Sequence, residues 1–139
     1  MTGCVAAACS GPEPQPPSDP ELRAELEIAD DVRIHRIDLS GRGSETRVLP
    51  PEVEVRAGDV VQFVVLDYRV HLVRFVEEEL RPAAMEFLTR TGQDRPPPLV
   101  ERGARLVLSF EDAPAGWYPF RVEGSGAAVR GEIRVLPPE

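Results

Sequence analysis

The chain has no lysine and no asparagine, and among its 139 residues only two are cysteine and two are histidine. Every basic side chain other than histidine is therefore arginine, a rigid forked donor rather than a flexible ammonium. Both cysteines, Cys4 and Cys9, lie near the start. The rest of the chain has no internal disulfide, no zinc-type cysteine cluster and no thiolate to offer a metal. With two histidines, His35 and His71, there is little material for a hydrolytic triad or a metal hydrolase. No apolar run approaches the roughly 20 residues of a membrane-spanning helix. Positive charge is in deficit, and the formal net charge is −8. Binding to phosphate backbones needs a basic surface, so nucleic acid is excluded as a partner.

What is abundant is proline and glycine, fifteen and eleven residues, set between short apolar runs. That punctuation divides the chain into a tether over 1–20 and a body over 30–137. From Ser10 to Pro20 the sequence is rich in Pro and Ser, a composition that predicts an extended, unpacked segment. Ahead of it, Val5-Ala6-Ala7-Ala8-Cys9-Ser10-Gly11 resembles the processing site of bacterial lipoproteins. The resemblance implies Cys9 as the lipidated residue, with Cys4 a weaker candidate, and an extracytoplasmic body tethered to the membrane only through that lipid. Ala6 stands where the pattern usually has Leu, and a basic leader with an apolar stretch is missing. The other interpretation is an unstructured N-terminus carrying two incidental thiols.

The body reads as all-β. Val53 and Val55 alternate with Glu52, Glu54 and Arg56, and Ala57-Gly58-Asp59 makes a tight turn. Val60 to Leu66 is apolar on nearly both faces, the pattern of a central strand. His71, Val73 and Phe75 share one face, as do Leu106, Leu108 and Phe110, and Tyr118, Phe120 and Val122. Ile133 and Val135 alternate with Glu132 and Arg134 in the closing strand, and Val32 to Leu39 is the expected opening strand. One segment breaks the pattern. Pro82 to Arg90, with Pro at its first turn and Gly92 past its end, predicts a short helix burying Ala84, Phe87 and Leu88. The expected architecture is a Greek-key β-sandwich with one short helix in a loop.

Four pieces in order carry a family resemblance: Val55-Arg56-Ala57-Gly58-Asp59-Val60-Val61-Gln62-Phe63, His71-Leu72-Val73-Arg74-Phe75, Gly116-Trp117-Tyr118-Pro119-Phe120 and Gly131-Glu132-Ile133-Arg134-Val135. Their order and spacing resemble the plastocyanin/azurin-type cupredoxins. The resemblance implies a type 1 copper site at one end of the sandwich. Carried over position by position, His71 matches the first histidine ligand. The cysteine position falls on Val122, the second histidine on Ser125 and the methionine near Val129. Blue-copper chemistry depends above all on the thiolate. Val122 and Val129 offer no donor atom, and the Ser125 hydroxyl is a poor copper ligand.

His71 admits three interpretations at this stage. It is a core histidine bonded to a backbone carbonyl, or part of a weak metal site with a carboxylate such as Glu123, or a group that binds something else. Val122 fills apolar space in a dry core, where an unpaired polar group would be costly. The flexible Gly124-Ser125-Gly126 turn offers accessible backbone N–H groups. Glu77-Glu78-Glu79 reads as a solvated charged loop. Tyr118 resembles the corner tyrosines of sandwich folds, and Trp117, on the opposite face, is a candidate contact residue. No nucleophile motif or phosphate-cradling glycine loop is present.

The sequence thus points to a non-enzymatic, extracytoplasmic domain without a cofactor, binding an unknown protein or small ligand at the cell envelope. The competing expectation is a copper electron carrier or copper carrier of the plastocyanin/azurin type.

Overall fold

Alternation of apolar and polar residues places each strand, and turn chemistry separates them. The computed structural model describes residues 20–26, 28–29, 31–124 and 126–138. Among these residues are eight strands: β1 Ile34–Arg42, β2 Glu45–Leu49, β3 Glu52–Val55, β4 Val60–Val65, β5 Leu72–Phe75, β6 Arg105–Ser109, β7 Gly116–Glu123 and β8 Val129–Val135. Two α-helices accompany them, α1 Pro20–Leu26 and α2 Pro82–Arg90, with a 3-10 turn over Glu77–Glu79.

The strands form two four-stranded sheets, in the orders β2-β1-β4-β6 and β3-β8-β7-β5. Most neighbours are antiparallel. Two pairs are parallel, β1 with β4 (Ile34 opposite Val60) and β3 with β8 (Glu52 opposite Glu132). The chain changes sheet after β2, β3, β4, β5 and β6, so the two sheets are laced together and a β-sandwich results. The core lies between them. Phe63 and Phe120 meet edge to face across the sandwich at 5.2 Å, and Phe110 meets Tyr118 at 5.4 Å. All six residues of β4 are buried, in keeping with an apolar run that only Gln62 interrupts.

Helix α2 has the expected limits, with Ala84, Phe87 and Leu88 buried. It stops at Thr91, and Gly92 takes a φ of +72°, a conformation that favours glycine. Tyr118 donates to the Pro114 carbonyl at 2.8 Å, which is the corner bond foreseen for it. Trp117 points outward beneath the Arg134 guanidinium.

Two elements depart from the expectation. One helix was expected, and a second, α1, begins at Pro20. Leu22 is its buried anchor, packed with Ile34 and Val60. Arg23 ties the turn after it by donating to the Ala29 and Val32 carbonyls. Pro20 itself therefore opens a helix instead of ending a tether, while residues 1–19 lie outside the described residues. The other departure is β2, which forms a hairpin with β1 through Gly43 and Ser44. Gly43 takes a φ of +61°, suited to a two-residue hairpin turn.

Candidate functional site

Three loops meet at one end of the sandwich: the hairpin tip at Gly43–Ser44, the connection from Leu66 to His71, and the turn after β7. His71 stands at their junction, immediately before β5. Its backbone forms an isolated antiparallel bridge with Leu99. The His71 N–H donates to the Leu99 carbonyl at 2.9 Å, and the Leu99 N–H returns a bond to the His71 carbonyl at 2.8 Å. The imidazole is buried, with 1% of the residue exposed.

The expectation of a carbonyl partner for the ring is corrected here. Nε2 lies 2.8 Å from Asp67 Oδ1, a carboxylate four residues earlier in the same loop. The Arg69 N–H donates to the same oxygen at 3.1 Å. Burial pushes the Asp67 carboxyl up, but the bonds from His71 and from the Arg69 N–H outweigh it and hold the group below the usual carboxylate range. An ionised carboxylate only accepts, so in the neutral ring Nε2 carries the hydrogen. Nδ1 is then left with its lone pair. It is buried and has no hydrogen-bond partner among the described residues.

What faces Nδ1 is mostly backbone and glycine. A Cβ built on Gly124 would lie 3.2 Å from the Val70 carbonyl oxygen, 3.4 Å from Thr46 Oγ1 and 3.6 Å from His71 Nδ1. The glycine lets the turn close over the imidazole. Gly126 is tighter still: a Cβ there would stand 1.7 Å from the Ser44 carbonyl oxygen. These glycines serve close approach rather than the loop flexibility read from the sequence. Arg69 completes the junction by donating to the Gly43 carbonyl at 2.6 Å.

The residues matched to copper ligands have different fates. Val122 is fully buried and sits opposite Val73 in the β5–β7 ladder, two residues along from His71. Val129 pairs with Val122 across the β7–β8 ladder and packs against the core. Ser125 lies outside the described residues, as do Cys4 and Cys9. Glu123 pairs with Leu72, and its carboxylate lies 3.3 Å from Arg74 Nε and 3.7 Å from Arg121 Nε. The carboxylate bonded to the imidazole is that of Asp67. His35, expected from the sequence to be a surface strand residue, is part-buried in β1 and bonded to Asp59 Oδ2 at 3.0 Å. The same oxygen accepts from the Arg56 N–H, so His35 braces the Ala57–Asp59 turn.

Asp67, Arg69 and Thr46 were not picked out from the sequence. Asp67 could have been: an acid four residues before a histidine, just past a buried strand, is a short reach for a hydrogen bond. Thr46 could not, because β2 reaches His71 only through the sandwich.

The fit to a type 1 copper ion can be judged from these donors. His71 supplies one imidazole nitrogen, oriented by a carboxylate as metal-bound histidines usually are. Thr46 and Val70 supply a hydroxyl and a carbonyl oxygen nearby. Among the described residues no three His, Cys, Asp or Glu side chains converge. The set lacks the soft sulfur that such a site requires.

Around this end the surface is apolar. Leu66, Tyr68, Val70 and Val100 are all exposed, Tyr68 by 80%. Val100 follows the bridge residue Leu99, which brings it beside Val70. Arg102 donates to the Tyr68 hydroxyl at 3.1 Å and lies over its ring. An open cleft of about 450 Å³ runs along Arg69, Val70, Leu72, Glu123 and Gly124.

The fold is that of a cupredoxin. The oxidised plastocyanin of Dryopteris crassirhizoma superposes with a TM-score of 0.51 at 15% identity, over 72% of this chain and 98% of that one. The pseudoazurin of Hyphomicrobium denitrificans gives 0.48 at 24% identity, over 76% and 77% of the two chains. A purple cupredoxin from Nitrosopumilus maritimus gives 0.47 at 17% identity, over 73% and 98%. No protein-family model matches the sequence, and no curated protein matches it. The cupredoxin frame foreseen from four sequence pieces is thus present. No helix among the described residues is long and apolar enough to cross a membrane.

Proposed function

We propose that this cupredoxin-fold chain is a non-enzymatic, extracytoplasmic binding domain in which the type 1 copper ligands have been replaced. The observation that supports it most is Val122. An aliphatic side chain, fully buried and paired with Val73, occupies the position matched to the thiolate, and among the described residues no cluster of three His, Cys, Asp or Glu side chains stands ready to hold a metal. Without sulfur, the short metal–thiolate bond that underlies blue-copper electron transfer cannot form. The exposed Leu66, Tyr68, Val70 and Val100 give this end the contiguous apolar character typical of contact surfaces. A partner protein or small ligand at the cell envelope would be met there, with Cys9 as the lipid anchor.

Titration of the full chain with Cu(II), followed by visible absorption, tests the proposal. No intense blue thiolate band is expected. Its appearance would overturn the assignment of Val122.

A second function, copper carriage, is favoured by one specific observation, the unpartnered lone pair on His71 Nδ1. A single imidazole binds a divalent metal weakly. Metal analysis of protein purified from its own host separates the two. Stoichiometric colourless copper that is lost in His71→Ala would favour the carrier.

A further inference from the structure

Each sheet of the sandwich has two edge strands, β2 and β6 in one and β3 and β5 in the other. At β6, Gln93 bonds the outward backbone groups of Ser109. Strand β2 lies against β7 and β8 of the facing sheet, with Thr46 and Val48 buried. Strand β5 begins at the bridge to Leu99, and its Val73 and Phe75 are buried.

Strand β3 carries two acidic residues, Glu52 and Glu54, in its four-residue span. The Glu132 N–H donates to the Pro51 carbonyl, and the Leu136 N–H to the Val55 carbonyl. In a parallel ladder with that phase, residues 51, 53 and 55 bond to β8. Glu52 and Glu54 then direct their N–H and C=O groups away from the sheet. Both residues are exposed, and among the described residues no strand lies beyond them. Their carboxylates share the outer face. Glu54 lies 3.4 Å from Arg134, and Glu52 has no ion pair among the described residues. Half-buried Val53 faces the core margin between them.

We propose that the β3 edge is a docking site for a basic, extended peptide segment of another protein, which adds to this sheet as a fifth strand. The Glu52 and Glu54 backbone groups supply the main-chain bonds of such strand addition. Charge fixes the occupant. Two copies of β3 placed side by side would bring glutamate against glutamate on the same face, a destabilising cross-strand pair. The edge therefore rejects a second copy of this chain. A partner strand with basic residues at alternate positions meets both carboxylates on the outer face. Its intervening apolar residues extend the core margin beside Val53. This surface is separate from the His71 end, so it stands or falls independently of the copper question.

The test uses the full chain and three capped hexapeptides: alternating lysine and valine, alternating glutamate and valine, and the lysine–valine peptide with alternate amides N-methylated. Saturable binding of the first is expected, at least tenfold tighter than the other two. Amide exchange at Glu52 and Glu54 should slow on binding. The double variant Glu52→Gln/Glu54→Gln should bind the lysine–valine peptide about fivefold more weakly while keeping the circular dichroism of the parent. Equal affinity for the N-methylated peptide would overturn the proposal, because attraction would then be charge alone. So would shifts centred on another strand, absence of saturable binding, or self-association through β3 seen by sedimentation.

Discussion

Gln93 and Ser109 exchange two hydrogen bonds: the Ser109 N–H donates to Gln93 Oε1 at 2.7 Å, and Gln93 Nε2 donates to the Ser109 carbonyl at 3.0 Å. One side-chain amide thus takes the place of a neighbouring strand at the end of β6. An unpaired edge is a template for unwanted pairing, and here it is capped without lengthening the sheet. Gln93→Ala should lower stability by about 1 kcal/mol and speed amide exchange at Ser109. Urea unfolding and hydrogen exchange check both.

The glycines of the turn after β7 rank differently. Gly126→Ala forces a methyl group into the Ser44 backbone, which has no rotamer to yield. A loss of about 3 kcal/mol is expected. Gly124→Ala meets its nearest neighbour at 3.2 Å and should cost less than half as much. Thermal unfolding of the two variants side by side gives the order.

Asp67 makes stability depend on acid. Its carboxyl is held below the ordinary value in the folded chain, so the folded state gives up this proton more readily than the unfolded one. The resulting stabilisation is complete above the unfolded value, near about 4. It disappears as pH falls through the lower folded value. In Asp67→Asn this acid limb should flatten, with a cost of about 1 kcal/mol at neutral pH. Urea midpoints measured across the acid range are the check.

Tyr118 acts at the other extreme. Burial pushes its hydroxyl up to about 12, while the unfolded chain ionises near about 10. The unfolded state loses the proton first, so stability should fall as pH rises between those values, by at most about 1.4 kcal/mol per pH unit. Ultraviolet titration of Tyr68→Phe, which leaves Tyr118 as the sole tyrosine, should show ionisation only near the upper value or together with unfolding.

Most of the sandwich could be read from periodicity, because β4, β6, β7 and β8 each carry a clean apolar alternation or run that survives into the structure. Helix α2 was legible from Pro82 and Gly92. Strand β2 was not foreseen, since Glu45-Thr46-Arg47-Val48 buries only a threonine and a valine. Helix α1 was hidden by the prolines that precede it. At the site, His71 could be singled out by its place in the frame. Its carboxylate partner was a matter of loop geometry, and Thr46 reaches it only through tertiary packing. A sequence gives local rhythm freely but gives contacts between distant segments only when a motif encodes them.

The parallel pairing of β3 with β8 bears on how the chain is made. Glu52 finds its neighbour Glu132 far along the chain, so no hairpin can form this half of the second sheet early. Long-range pairings of this kind slow folding. During synthesis, β3 must wait until residues 132–135 have left the ribosome. Loss of β8 would leave β3 with no place to dock and would expose β7 as well.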